Sequence, residues 1–150
     1  MSLRKLFEQN SLQHHTTSRK EIGNLMQLVR RDLNDAKLKG LSSDRRFATA
    51  YNAVLQSATI LLYCKGYKPK GPGHHFTVFK AMREIMGRDH AGLSDYFDSC
   101  RSKRNLTDYS YPGGISESEA DELVVEAEKF FTAVRQWLNN NYPKLVSEEI

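Results

Sequence analysis

Residues 93–114 read LSDYFDSCRSKRNLTDYSYPGG, and they contain the clearest fold signal of this 150-residue chain. The apolar residues at the start of the stretch recur at helical spacing and mark one buried face: Leu93, Tyr96, Phe97 and Cys100. The Pro-Gly-Gly sequence at 112–114 then predicts the end of the helix. We therefore predict a helix over about 91–109 whose apolar side packs into a core.

Polar side chains continue that buried face toward the end of the helix. They lie at i, i+3, i+4 and i+7 and form what we call the polar ladder: Arg101, Arg104, Asn105 and Asp108. Charges on a buried face are costly unless they are paired, face a partner subunit or hold a ligand. Three interpretations stay open: an internal network in which Arg104 pairs with Asp108 or with an acid of the last helix, a phosphate or nucleotide contact, and a dimer contact. Tyr109 and Tyr111 follow as helix-end packing residues or ligand contacts.

Helical periodicity extends over almost the whole chain, and no run shows the strict alternation of a half-buried strand. The sequence predicts an all-α fold, an up-and-down antiparallel bundle of four to five long helices plus a short N-terminal helix. Ser18 and Ser116 each precede a glutamate by three residues, which is typical of a helix-capping box. We expect a short helix and connector at 1–17, the bundle at 18–142 and a C-terminal tail at 143–150.

Antiparallel alternation has a consequence for function, because it predicts which helix ends meet. One end of the bundle should collect the start of the second helix, the loop at 67–73, the start of the fourth helix, the end of the fifth and the start of the sixth. The residues expected at that end are His14, His15, Lys65, Lys68, Lys70, His74, His75 and residues 101–111.

Composition argues against a membrane-spanning protein, a disulfide-stabilised protein and a zinc protein. A formal net charge of +4 permits an anionic partner without requiring one. No apolar run approaches the roughly 20 residues that span a bilayer. The two cysteines, Cys64 and Cys100, form neither a CxxC pair nor a disulfide framework, which favours core thiols in a reducing cytoplasm. Cys/His spacing gives no zinc site, and no cofactor is expected.

The histidines and lysines near the 67–73 loop have two interpretations. His74 and His75 open a helix, where one caps it and the other is solvated, or one acts as a base near Arg104. Adjacent helical residues diverge by about 100°, so the two cannot easily hold one metal. Lys68 and Lys70 belong to a solvated basic loop or contact phosphate. His14 and His15 read as solvated linker residues.

Two stretches in this order resemble the HEPN domain family, small helical bundles named for a proposed nucleotide-binding role. Residues 47–53 (FATAYNA) through 61–67 (LLYCKGY) to Gly73-His74-His75 are similar to one family segment, and residues 101–111 (RSKRNLTDYSY) are similar to another. The resemblance covers roughly 18–140. Many family members are metal-independent ribonucleases, often toxins of toxin–antitoxin pairs, that use an Arg-x(4–6)-His motif in a cleft between two subunits.

Carried over residue by residue, the motif's arginine is Arg104, with Asn105 after it. The histidine would fall at 109–111, where this chain has Tyr109, Ser110 and Tyr111. RNA cleavage without a metal needs a base for the 2′-hydroxyl, and a phenol with a pKa of about 10 is a poor one at neutral pH. The resemblance therefore implies a homodimer that binds a nucleotide, RNA or a protein partner at the Arg104 end with little or no catalysis.

Two alternatives accompany this prediction. One is a metal-independent ribonuclease that uses Arg104 with a displaced histidine, His74 or His75. The other is a structural or adaptor bundle whose polar ladder only builds a dimer. The partners that the resemblance implies are a second copy of the chain, RNA or a nucleotide, and a cognate antitoxin or nucleotidyltransferase-like protein, with no membrane.

Overall fold

The structure, a computed structural model, describes residues 2–71, 74–109 and 113–146; for Asp89 and residues 106–109 it describes the backbone alone. The all-α prediction is confirmed, since the described residues form six α-helices and one small two-stranded sheet. The helices are α1 (Leu3–Glu8), α2 (Arg19–Ala36), α3 (Ser43–Cys64), α4 (His74–Met86), α5 (Ala91–Tyr109) and α6 (Glu117–Asn141). Short 3₁₀ turns cover Arg88–His90 and Pro143–Leu145. None of the helices described is long and apolar enough to cross a bilayer.

Helix starts follow the predicted caps. Ser116 accepts a hydrogen bond from the Glu119 amide while the Glu119 carboxylate accepts from the Ser116 amide, so this capping box is confirmed. At α2 only half of the box forms. Ser18 accepts from the Glu21 amide, but the Glu21 carboxylate binds Thr17 and His15 instead.

The prediction that the chain has no strand is wrong at one place. Strand β1 (Leu12–His14) pairs antiparallel with β2 (Tyr67–Pro69), and His14 lies opposite Tyr67. The prediction that His14 and His15 are solvated linker residues is half correct, since His14 is exposed but lies in β1, whereas His15 lies in the connector but is half-buried. The His14 ring stacks on Tyr67, and the His15 side chain, 18% exposed, bonds to Glu21 at 2.7 Å. The β1–β2 ribbon therefore holds the N-terminal segment against the end of α3.

One continuous apolar core joins α2, α3, α4, α5 and α6, with Tyr51, Phe79, Phe97 and Phe130 among its fully buried side chains. On α5, Phe97 and Cys100 are buried as the 93–114 pattern predicts, and Leu93 and Tyr96 pack against the core. On α4, helical spacing predicts that Phe76, Phe79 and Met82 share one inward face, but Phe76 is 45% exposed. Phe79 and Met82, one and two turns further on, are buried.

The two cysteines are core thiols, as predicted. Both thiols are free, Cys100 buried and Cys64 half-buried. Burial raises the pKa of Cys100 to about 11 and that of Cys64 to about 12, so both stay protonated at neutral pH. They are inert core thiols.

Helices α2 and α3 run antiparallel, because late residues of α2 meet early residues of α3. Asn52 donates to Asp32 at 2.7 Å, and Arg46 donates to the Ala36 carbonyl at 2.8 Å. The buried Asp32 carboxylate also accepts from the neighbouring Arg31 at 3.1 Å, so its charge is paired.

Helix α6 runs parallel to α3, and the strict up-and-down alternation is therefore wrong at this pair. Asp44, in the first turn of α3, accepts from the Gly113 amide at 2.6 Å just before α6 begins. At the other end, Lys65 caps α3 and lies over the Trp137 and Tyr142 rings at the end of α6.

Helix α4 also departs from simple alternation, since it begins beside the first half of α3. His75 in its first turn is bonded to Tyr51. The prediction that these helix ends and basic residues meet at one end of the bundle is thus half correct. The starts of α4 and α6 do approach the end of α5, whereas His14, His15 and Lys65 lie at the other end of α3, with Tyr63 and Trp137.

Candidate functional site

An open pocket of about 410 Å³ lies between the start of α4 and the late part of α5. We call it the Arg104 pocket. Its described lining consists of Gly71, His74, His75, Phe76, Arg101, Arg104 and Asn105. The structure thus brings together both candidate histidines and three of the four residues of the polar ladder. These groups come from two separate stretches of sequence.

Tyr51 of α3 does not line the pocket but contacts two of its lining residues, His75 and Arg104. Its ring is fully buried, and its hydroxyl lies 2.8 Å from Nδ1 of His75. Burial raises the pKa of the Tyr51 phenol, against the opposing effect of Arg104, so the phenol is neutral at every physiological pH. The phenol fixes the orientation of the His75 ring.

Arg104 lies over the face of the same tyrosine. Its guanidinium carbon is 5.0 Å from the Tyr51 ring centroid, a cation–π geometry, and its Nη2 donates to Asn105 at 3.0 Å. Its Nε atom is buried and has no hydrogen-bond partner among the described residues. On α6, Glu119 pairs with the neighbouring Lys103. Among the described residues the guanidinium is therefore held by a ring and a neutral amide, and its Nε meets no acceptor.

The environment of His75 disfavours its charged form. Burial lowers the pKa of His75 below its ordinary value, and the nearby charges of Arg104 and Arg101, together with His74, lower it further. His75 is consequently neutral at neutral pH. The tautomer that donates from Nδ1 to Tyr51 leaves Nε2 as an acceptor, and the opposite tautomer leaves Nε2 as a donor.

Arg101 lies on the same wall of the pocket but is partly neutralised. Its Nε donates to Asp98 at 2.9 Å, and this hydrogen bond is the main reason that the pKa of Arg101 is raised. Among the described lining residues no carboxylate accompanies Arg101 and Arg104. The pocket is therefore cationic at neutral pH even though Asp98 stands beside it.

The other predicted site residues are not part of this described lining. Lys68 lies in β2, where its charge helps to lower the pKa of Glu21, and the Lys70 amide donates to the Ser11 carbonyl. Tyr111 and the side chains of Asp108 and Tyr109 lie outside the described residues. Whether Arg104 pairs with Asp108 therefore stays a prediction.

The arrangement can bind an anion, and it offers one acid–base group. A guanidinium with free N–H groups matches the oxygen geometry of a phosphate, and a neutral imidazole beside it can accept or donate a proton. Within the described residues, no group of three or more His, Cys, Asp or Glu side chains could hold a metal ion.

Sequence reasoning missed two residues of this site. Tyr51 lies in the stretch 47–53 that carries the family resemblance, but helical spacing indicates only a core role for it. Asp98 was not considered, although it lies three residues before Arg101 and so on the same helix face. Comparisons of the chain with protein-family models, with curated proteins and with solved structures find no match. The HEPN resemblance therefore stays a prediction that depends on the quoted motifs.

Proposed function

We propose that this chain is a HEPN-like helical protein of the cytoplasm that binds a phosphate-bearing ligand, a nucleotide or RNA, in the Arg104 pocket. Catalysis is weak or absent in this proposal. The partners that follow from the same resemblance, a second copy of the chain and a cognate antitoxin or nucleotidyltransferase-like protein, belong to the proposal as well.

The single observation that carries the proposal is the state of Arg104. Its Nε is buried without a partner among the described residues, and an unsatisfied buried donor costs about 1–3 kcal/mol. A purely structural arginine would be expected to pair that donor with a carbonyl or a carboxylate. Among the described residues the contacts are the face of Tyr51 and the amide of Asn105, neither of which carries a negative charge. A phosphate in the pocket would supply that charge.

The surroundings of Arg104 support the same ligand chemistry. Arg101 adds a second cation, and α4 begins in the pocket at His74. The first turn of a helix presents amide groups without intrahelical acceptors and the positive end of the helix dipole, both of which favour an anion. The phosphate would thus meet cationic side chains from α5 and backbone donors from α4.

A salt titration of RNA binding tests the proposal. Fluorescence anisotropy with a labelled single-stranded hexanucleotide should give a slope of log K against log salt of about −0.7, the value for one phosphate contact. A slope near zero, or no binding at low salt by the wild-type protein, contradicts the proposal. A much steeper slope would place binding on the wider basic surface, which contains Lys68 and Lys70, and so also contradict it.

One observation favours a second candidate function, metal-independent RNA cleavage. His75 is neutral, held by Tyr51, and lines the pocket that Arg104 lines, so it can replace the histidine missing at 109–111. Cleavage of single-stranded RNA in EDTA should then be lost in Arg104→Ala and His75→Ala but kept in His74→Ala. Cleavage that survives His75→Ala removes this candidate.

The contacts among Tyr51, His75 and Arg104 are complete within one chain. We therefore expect ligand binding without the intersubunit cleft that the family resemblance implies. Light scattering coupled to gel filtration gives the oligomeric state, and binding by a monomeric fraction would show that the pocket acts alone. A dimer that binds no phosphate compound would favour the adaptor alternative.

A further inference from the structure

A second cavity adjoins the Arg104 pocket on the side of α4. This α4/α5 groove of about 570 Å³ is lined by Phe76, Phe79, Lys80, Arg83, Glu84, Ser94, Asp95 and Asp98. Two features connect it to the pocket. Phe76 lines both cavities, and Arg101 of the pocket is bonded to Asp98 of the groove at 2.9 Å.

Phe76 is an exception on its helix. It is one of three large apolar side chains that are exposed within the described part of the chain, 45% in its case, whereas Phe79 one turn later is buried. Lys80 lies 4.9 Å from the centroid of the Phe76 ring and therefore occupies one approach to the ring. An exposed aromatic ring beside an arginine pocket is the arrangement with which proteins stack the bases of single-stranded nucleic acids.

The two cavities differ in charge, and this difference indicates which part of a nucleotide each cavity would bind. The pocket has Arg101 and Arg104 without a described carboxylate. The groove has Lys80 and Arg83 against three carboxylates, those of Glu84, Asp95 and Asp98. A phosphate is attracted to the pocket and gains nothing from the groove. A neutral base, which presents N–H donors to carboxylate oxygens, suits the groove.

From this juxtaposition we infer that Phe76 is a stacking platform for a nucleobase, and that the ligand is a single-stranded nucleotide unit with its phosphate at Arg104 and its base on Phe76 at the mouth of the α4/α5 groove. The inference rests on the proposed phosphate site. The unit is either a free mononucleotide or one residue of a single-stranded RNA. A base inside a duplex cannot reach the ring, because its faces are covered by its neighbours.

Phe76→Leu is the informative variant, since it keeps an apolar side chain of similar exposure and removes the aromatic face. Val125→Ala is the matched control, because Val125 is 49% exposed on α6 and lines neither cavity. The probes are AMP, a single-stranded hexa-adenylate, ribose 5-phosphate and a duplex RNA, each measured by isothermal titration calorimetry. Circular dichroism melting curves verify that both variants fold.

Phe76→Leu should weaken the binding of AMP or of hexa-adenylate about 10-fold and leave ribose 5-phosphate and duplex RNA unchanged. The probe that shows the loss identifies the source of the nucleotide unit. Val125→Ala should change none of the four affinities.

Equal affinities of wild type and Phe76→Leu for AMP and hexa-adenylate overturn the stacking inference while ribose 5-phosphate binding keeps the proposed function. Equal losses for all four probes also overturn it, since the effect would then not concern the base. If the wild-type protein binds none of the probes, both the inference and the proposed function fail.

Discussion

The hydroxyl of Tyr51 lies 2.8 Å from Nδ1 of His75, and the ring of the same tyrosine lies under the guanidinium of Arg104. One buried side chain of α3 thus orients a histidine of α4 and an arginine of α5. Tyr51 thereby connects side chains of three helices within one site.

Replacing Tyr51 with phenylalanine separates the two roles of the residue. The hydrogen bond to His75 is lost while the aromatic face under Arg104 remains, so the free energy of unfolding should fall by about 0.5–1.5 kcal/mol and AMP affinity should stay within about 2-fold. Urea denaturation and calorimetry give the two quantities. Tyr63→Phe is the control, because Tyr63 contacts His15 through its ring and stands at the far end of α3. A loss of AMP binding in Tyr51→Phe with unchanged stability would contradict this division of roles.

The protonation of His75 should depend on Arg104. Burial and the neighbouring arginines lower the pKa of His75 below about 6.5, the value in an unfolded chain. The folded protein therefore binds fewer protons than the unfolded chain just below pH 6.5. The stability contribution is fully present above that pH and is lost as the pH falls toward the lowered pKa. An NMR titration of the His75 ring should show an upward pKa change in Arg104→Ala, since one repelling charge is removed. A pKa that stays the same or falls in the variant would show that Arg104 does not act on the imidazole.

Asp44 should determine where α6 begins. Its carboxylate accepts from the amides of Gly113 and Ile115 at 2.6 and 3.4 Å and so ties the segment before α6 to the first turn of α3. Asp44→Ala leaves these amides without that acceptor and should lower the free energy of unfolding by about 1–2 kcal/mol in urea denaturation. Asp95→Ala, in which an 80% exposed carboxylate 4.0 Å from Arg83 is removed, should change it by less than about 0.5 kcal/mol. Equal effects of the two substitutions would mean that Asp44 does not anchor the segment.

The helices were predictable because their signals are local. The spacing of Leu93, Tyr96, Phe97 and Cys100 and the capping box of Ser116 require no knowledge of other elements. The β1–β2 ribbon could not be predicted, since three residues are too few to show alternation and its pairing joins His14 to Tyr67 across the whole of α2 and α3.

The composition of the site was only partly predictable for the same reason. Helical spacing places Arg101, Arg104 and Asn105 on one side of α5, and a glycine-rich turn places the histidines at a helix start. The contact of both groups with Tyr51 depends on α4 beginning beside the first half of α3, a tertiary arrangement that periodicity does not encode. The exposure of Phe76 on an otherwise inward face of α4 follows from the same placement.

The measurement that tests the central claim most directly is the affinity of AMP for the wild-type protein, Arg104→Ala and Arg135→Ala, by isothermal titration calorimetry. Arg135 is a matched control, because its guanidinium also lies over a buried ring, 5.6 Å from the centroid of Phe131, but outside the described lining of the Arg104 pocket. Loss of a charge-assisted contact to phosphate should weaken binding about 10- to 100-fold in Arg104→Ala and leave Arg135→Ala at the wild-type affinity. Equal affinities of wild type and Arg104→Ala, or equal losses in both variants, would contradict the account.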